Sequence, residues 1–235
     1  MRIETHERYS ENREPFHPWV LRHVGARPGD RLLDVGSGPG DYHAHLSGVR
    51  VVALDMSAGM LAKVRVPKVR ADAQALPFRA ASFDRVMANH VLYHVPDQRQ
   101  ALREMRRVLT AGGRAVITTN SSDSLRAFFE LLNEAGQDEG LPPESTVGRR
   151  FSFDDAPMVR EVFPSAQVEL YQDAFVFPDV APVVAYAASG GPSRLPEDVL
   201  ARVLAGFARR VQAIIDRDGV FRVEKTAGCF VADLT

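Results

Sequence analysis

The chain has 235 residues, 45% hydrophobic and 25% charged, with a formal net charge of −1 and one cysteine. That is enough apolar material for one sizeable core, and the near-neutral charge argues against a protein that grips nucleic acid through its phosphates. A single cysteine excludes an internal disulfide and a cysteine-based metal site, while the polar start MRIETHERYSENREP does not read as a signal peptide and no apolar run reaches membrane-spanning length.

The first thirty residues are polar and aromatic, with Tyr9, Phe16 and Trp19, and a helix is expected from Pro18 to Val24, closed by Gly25. Arg31-Leu32-Leu33-Asp34-Val35 reads as a buried strand running into Gly36-Ser37-Gly38-Pro39-Gly40. Alternate glycines let the backbone bend sharply and approach a ligand closely. A helix expected to start directly afterwards would aim its free N–H groups at the same cleft. His43 and His45 fall in that helix and are read as surface or lid residues.

A second strand, Val49 to Leu54, brings Asp55 to its tip, nineteen residues after Gly36. A carboxylate there suits the two hydroxyls of a ribose; the competing reading makes Asp55 the cap of a helix Ser57 to Val64. Met56 is placed to pack on an adenine face. Asp72, at the end of a third strand, suits the adenine amino group with the N–H of Ala73 on a ring nitrogen, or else is an ordinary turn residue.

Two nucleotide-binding readings compete at the glycines. A dinucleotide site wants G-x-G-x-x-G, but Asp41 stands at the sixth place and the third glycine comes one residue early at Gly40. Asp34 instead suits a ligand with a cationic end, which favours S-adenosylmethionine with its ammonium and sulfonium.

Phe83 to Met87 is a further strand, followed by Asn89 and His90 at the mouth of the cleft. His90 is the best candidate general base because histidine titrates near neutrality; Tyr93 and His94 come next, with His94 read as structural. No third ligand accompanies His90 and His94, so no metal is expected. Asp97 with Gln100 resembles a capping box, and Leu102, Met105, Val108 and Leu109 repeat at helical spacing to a stop at Gly112. Arg114 to Thr119 is another strand. Beyond it come an expected helix Ser121 to Gly136, an irregular segment Gln137 to Phe151 and a strand Val168 to Phe177. A long amphipathic helix then opens at Pro196 with Leu200, Val203, Leu204, Phe207, Val211, Ile214 and Ile215. Phe221 to Leu234, holding Cys229 as a buried thiol, is expected as an edge hairpin or strand. Arg149-Arg150 and Arg209-Arg210 read as solvated faces.

In this order, DVGSGPG, ALDMS, DAQALPF, FDRVMANHVLYHVPD and LREMRRVLTAGG resemble the class I S-adenosylmethionine-dependent methyltransferase family, small-molecule type. The resemblance is strong from Arg31 to Thr119 and weaker beyond. One departure is Thr110, where relatives often carry proline. The resemblance implies an α/β, Rossmann-like fold: a seven-stranded, mostly parallel sheet with helices on both faces, its last strand antiparallel. It implies cofactor contacts at Asp34, Gly36, Gly38, Asp55, Met56, Asp72, Ala73 and Asn89, with the Asn89 carbonyl on the methionine ammonium.

The organisation expected is a single domain over 1–235: an N-terminal lid at 1–30, a cofactor-binding core at 31–120, and acceptor-side helices and final strands at 121–235. The function expected is methyl transfer to a small molecule in the cytoplasm, by in-line displacement that rests mainly on orientation, with base help from His90. Tyr9, Phe16, Trp19, Phe128, Phe129, Phe151, Tyr171 and Tyr186 are candidate walls of the acceptor pocket. The alternatives are a nicotinamide-dependent oxidoreductase, supported by the glycine turn and Asp55 alone, and a cofactor-binding protein without catalysis. No membrane or nucleic-acid partner is expected, and no motif selects an oligomeric state.

Overall fold

Short apolar runs became the strands, and every expected one is present. The computed structural model describes residues 2–143, 151–190 and 195–234; Arg149-Arg150 and the rest of 144–150 lie outside them. The strands are β1 (Arg31–Val35), β2 (Arg50–Asp55), β3 (Lys68–Arg70), β4 (Phe83–Asn89), β5 (Leu109–Asn120), β6 (Gln167–Phe177) and β7 (Phe221–Asp233). They form one seven-stranded sheet in the order β3-β2-β1-β4-β5-β7-β6. β1 through β5 pair in parallel and β7 runs antiparallel to β5.

The helices are α1 (Arg2–Tyr9), α2 (Phe16–Val24), α3 (Ala58–Leu61), α4 (Gln98–Val108), α5 (Arg126–Asp138), α6 (Ala156–Val162), α7 (Val180–Ala188) and α8 (Glu197–Asp218). Among the described residues none is long and apolar enough to cross a membrane. Contacts group the chain into two compact units. A sheet unit comprises Glu14–Ser122, Phe151–Tyr171 and Ala227–Thr235; a helical unit comprises Met1–Arg13, Asp123–Arg150 and Gln172–Thr226.

In the sheet unit the strand period of two sorts side chains onto opposite faces. Leu33 and Val35 of β1 join a core with Leu102, Met105 and Val108 of α4 and Val159 and Val162 of α6. Leu32, between them in the pleat, joins Trp19, Val20 and Val24 of α2 in a second core. Helices therefore cover both faces. The helical unit has its own core of Phe128 and Leu132 (α5), Val183 and Tyr186 (α7), and Val203, Phe207 and Val211 (α8), packed with Phe175, Phe177 and Phe221.

Several expected boundaries are corrected. After the glycine turn there is no α-helix, only a 3-10 turn at His43–His45, with the His43 N–H bonded back to the Gly40 carbonyl at 3.0 Å. The helix at Ser57 is shorter than expected. Helix α5 begins at Arg126 rather than Ser121, because the Leu125 N–H is taken by the Glu224 carbonyl of β7 at 2.8 Å while Leu125 adopts φ +60°. Gly112 does not stop α4. The helix ends at Val108, and Gly112 N–H and Gly113 C=O exchange bonds with Leu234 at 2.7 and 2.8 Å, so this stretch belongs to β5. Asp97 caps α4 by accepting from Gln100 N–H at 2.9 Å, but the Gln100 amide turns to the Gln74 carbonyl, leaving the capping box half made. Thr110, in place of the proline, directs its hydroxyl to Asp84 at 3.5 Å. β7 is an interior strand rather than an edge, because β6 adds outside it.

Candidate functional site

The candidate site residues lie at the carboxyl ends of the parallel strands of the sheet unit, where open α/β sheets bind ligands. At the end of β1 the chain turns through Gly36, Gly38 and Gly40, all at positive φ. The N–H groups of Gly36 and Ser37 are held by the Leu54 carbonyl at 2.7 and 3.0 Å, which locks the turn onto β2. A Cβ on Gly36 would fall 2.2 Å from a methyl of Val91. The glycine thus admits the loop after β4 against the turn, a use of the bare backbone that the sequence reading assigned to ligand alone.

Asp55 at the tip of β2 clamps this turn. One carboxylate oxygen accepts from Gly38 N–H at 2.9 Å and the other from Ser57 N–H at 2.8 Å. Helix α3 is capped instead by the Ser57 hydroxyl, which accepts from Met60 N–H, so Asp55 is not its cap. Each oxygen keeps a lone pair for a further donor. Met56 beside it is 64% exposed.

Asp72 follows β3 and is taken up locally. It accepts from the Gln74 backbone N–H at 2.8 Å and from the Gln74 side-chain amide, and these bonds hold its carboxyl below the usual range. The Gln74 side-chain Oε1 in turn accepts from Asp97 N–H at 2.9 Å, tying the loop to the start of α4. Ala73 is buried in the core, which leaves only its backbone for a ligand.

Asn89 ends β4. Its side-chain nitrogen and oxygen are both buried and have no partner among the described residues. An unpaired buried amide of this kind is unfavourable by about 1–3 kcal/mol and calls for an explanation.

His90 follows at φ +50°, with its N–H bonded to the Thr118 carbonyl and hydroxyl at 3.2 and 3.0 Å. Its ring lies 5.6 Å from Phe16, which also meets Trp19 and Tyr171. Burial, with a smaller push from His17, drives the His90 imidazolium down to about 4. His90 is therefore neutral near pH 7 and a weaker base than the sequence suggested. His94 is exposed, in a 3-10 turn at Leu92–His94, and shares no helix face with His90.

The most consequential correction concerns His43. It is no surface residue: its Nε2 sits 2.8 Å from a carboxylate oxygen of Asp34, with side chains only 9% and 1% exposed. Burial raises the Asp34 carboxyl, and the His43 bond opposes that rise. His45 is exposed as expected. Of the expected pocket walls, Phe16, Trp19 and Tyr171 collect near His90, while Phe151 belongs to the core of the sheet unit. Tyr9, Phe128, Phe129 and Tyr186 belong to the core of the helical unit. Sequence reasoning missed Gln74 and the inward turn of His43; the only signals were an amide two residues after an acid and a third glycine ahead of a histidine.

A family model described as a methyltransferase domain matches residues 33–117. The chain is 36% identical over 173 residues to the demethylmenaquinone methyltransferase of Mycolicibacterium paratuberculosis, covering 72% of this chain and 70% of that protein. It is 43% identical over 116 residues to the protein of the same name from Mycobacterium sp. (strain KMS), 47% of this chain and 50% of that protein. The chain spans about half the length of several curated relatives it matches. A solved protein of Bacillus halodurans superposes with a TM-score of 0.61 at 19% identity, over 93% of this chain and 98% of that one. At that identity the likeness is one of fold.

Proposed function

The chain belongs to the class I S-adenosylmethionine-dependent methyltransferase family, and from that premise we propose that it transfers the methyl group of S-adenosylmethionine to a small-molecule acceptor. The observation that carries the reading is the pair of strand tips on either side of β1: Asp55 at the end of β2, a carboxylate with lone pairs to spare, and Asn89 at the end of β4, a buried amide without a partner among the described residues. Both fit a cofactor that brings ribose hydroxyls and an amino-acid end.

In this reading Asp55 accepts from the ribose, and Asp72 with the Ala73 backbone faces the adenine under Met56. Asn89 and Asp34 serve the amino-acid end, while Gly36 and Gly38 let the turn lie close. The cofactor supplies a carbon already activated by its sulfonium. What the protein adds is alignment and exclusion of water, and orientation of this kind contributes about 7–11 kcal/mol to lowering a barrier. His90, neutral at working pH, is positioned to accept a proton from the acceptor. Its low basicity makes that help secondary, since general-base catalysis is most effective when the pKa lies near the operating pH. The aromatic surround of Phe16, Trp19 and Tyr171 suits a flat apolar acceptor, of the kind for which the demethylmenaquinone methyltransferases are named.

The test is calorimetry with S-adenosylhomocysteine, the demethylated product. The wild-type protein is expected to bind it. Asp55→Ala is expected to weaken binding by about 1–3 kcal/mol, roughly 5- to 150-fold, through lost hydrogen bonds to buried hydroxyls. Absence of binding by the folded wild-type protein would overturn the proposal; an unchanged affinity in Asp55→Ala would remove Asp55 from the ribose.

A further inference from the structure

The carboxylate assigned above to the cationic end of the cofactor already has a partner inside the protein. His43 reaches Asp34 through Nε2 at 2.8 Å, and both side chains are buried. The surrounding backbone is shaped for this ring. A Cβ on Gly40 would lie 2.7 Å from His43 Nδ1 and 3.0 Å from Cε1, so the early third glycine leaves room for an imidazole. The 3-10 turn that replaces the expected helix turns His43 inward.

We propose that His43 is a positioning residue that serves as the internal counter-cation of Asp34, so that binding the cationic end of the cofactor expels a proton from this pair. The inference rests on the cofactor reading above. With the imidazolium present the pair has no net charge and attracts a cation weakly. With neutral His43, Nε2–H stays on the carboxylate and the pair carries one negative charge. The incoming ammonium favours the second state, and the imidazolium proton leaves to the buffer.

Among the described residues the charged and titratable groups around the pair are these. Asp55 and Tyr42 act on Asp34, and burial keeps the Tyr42 phenol protonated. His17 of α2 packs on Tyr42 with ring centroids 4.3 Å apart; Asp41 and His45 act on His17, and burial pushes its imidazolium down. Cys229 acts on Tyr42, and burial pushes its thiol up to about 12. His90, driven down to about 4, stays neutral across the test range.

The test follows S-adenosylhomocysteine binding by calorimetry across about pH 5 to 8, in buffers of different ionisation enthalpy. In the wild type, affinity is expected to fall as pH falls, approaching tenfold per pH unit where one proton is released per ligand bound. His43→Gln keeps an N–H donor for Asp34 but cannot titrate. It is expected to bind as tightly as wild type at the upper end of the range, with no pH dependence and no proton release. Equal pH dependence in both proteins overturns the proposal and leaves the cofactor reading standing. So does wild-type binding without proton release, a result that needs no variant to fold. Failure of the wild type to bind at any pH removes the cofactor reading and the proposal with it.

Discussion

Each unit buries a carboxylate beside a basic side chain, and the two pairs are finished differently. In the helical unit Lys225 Nζ lies 2.6 Å from Asp173, 2.9 Å from His6 Nδ1 and 2.8 Å from the Ser10 hydroxyl, and 4.3 Å above the Phe175 ring. The Asp173 oxygen that Lys225 leaves free accepts from Asn12 and Ala174 N–H at 2.9 and 2.7 Å. Charge is balanced internally, as in a structural staple, although the Asp173 oxygen facing Lys225 makes an ion pair and no hydrogen bond among the described residues. In the sheet unit Asp55 retains lone pairs, Asn89 has no partner among the described residues, and Asp34 is held by one histidine. Spare bonding capacity at strand tips marks a candidate site; a charge matched inside the protein marks a support.

The largest expected effect tests the support. Lys225→Met strands a carboxylate that is almost wholly enclosed, and removing one member of a buried pair typically destabilises by about 3–5 kcal/mol. Chemical denaturation should show a loss of that order, with S-adenosylhomocysteine affinity per folded molecule unchanged. A small loss, or a large change in affinity, would break the contrast between staple and site.

The next effect is a pH dependence from His90. Its imidazolium is driven from an ordinary 6.5 down to about 4, so between these values the unfolded chain binds the proton and the folded one does not. Stability from this residue is complete above about pH 6.5 and is lost as pH falls toward 4. It amounts to about 3 kcal/mol across the window, at 1.36 kcal/mol per unit. Denaturation of wild type and His90→Gln at several pH values measures it: the wild type should lose more stability on acidification. Parallel curves would mean that His90 is not desolvated.

The sheet was legible because a strand buried on both faces needs an apolar stretch, and β1, β2, β4 and β5 each hold one, at Leu32-Leu33, Val51 to Leu54, Val86 to Ala88 and Ala115 to Ile117. The places of Asp55 and Asn89 at strand tips were legible because tips follow directly from strand ends, while the role proposed for Asn89 came from the family resemblance. What escaped the sequence depended on partners far along the chain. The start of α5 is set by the Glu224 carbonyl, and the interior place of β7 by β6 pairing outside it. His43 escaped because a helix was expected after the glycines, whereas the turn delivers the ring to Asp34. α1, α6 and α7 carry no pattern strong enough to have been read, and their short apolar stripes gain meaning only from the cores they cover.

The smallest effect concerns a face expected to be merely solvated. Arg210 of α8 bridges to Asp138 and Glu134 of α5 at 2.7 and 3.2 Å and bonds the Gly206 carbonyl at 3.3 Å, with its side chain 27% exposed. It joins two helices that already share an apolar core, so its Coulomb gain is reduced by solvent and by side-chain entropy. Exposed pairs contribute about 0.2–1 kcal/mol. Arg210→Ala should therefore cost no more than about 1 kcal/mol in low salt, and less near 1 M salt, where screening shortens to about 3 Å. Comparing the two variants in one salt series ranks the devices: the Lys225→Met loss should persist at high salt because its charges are enclosed, and the Arg210→Ala loss should fade. If both losses fade alike, enclosure is not what separates the Lys225 staple from a surface bridge.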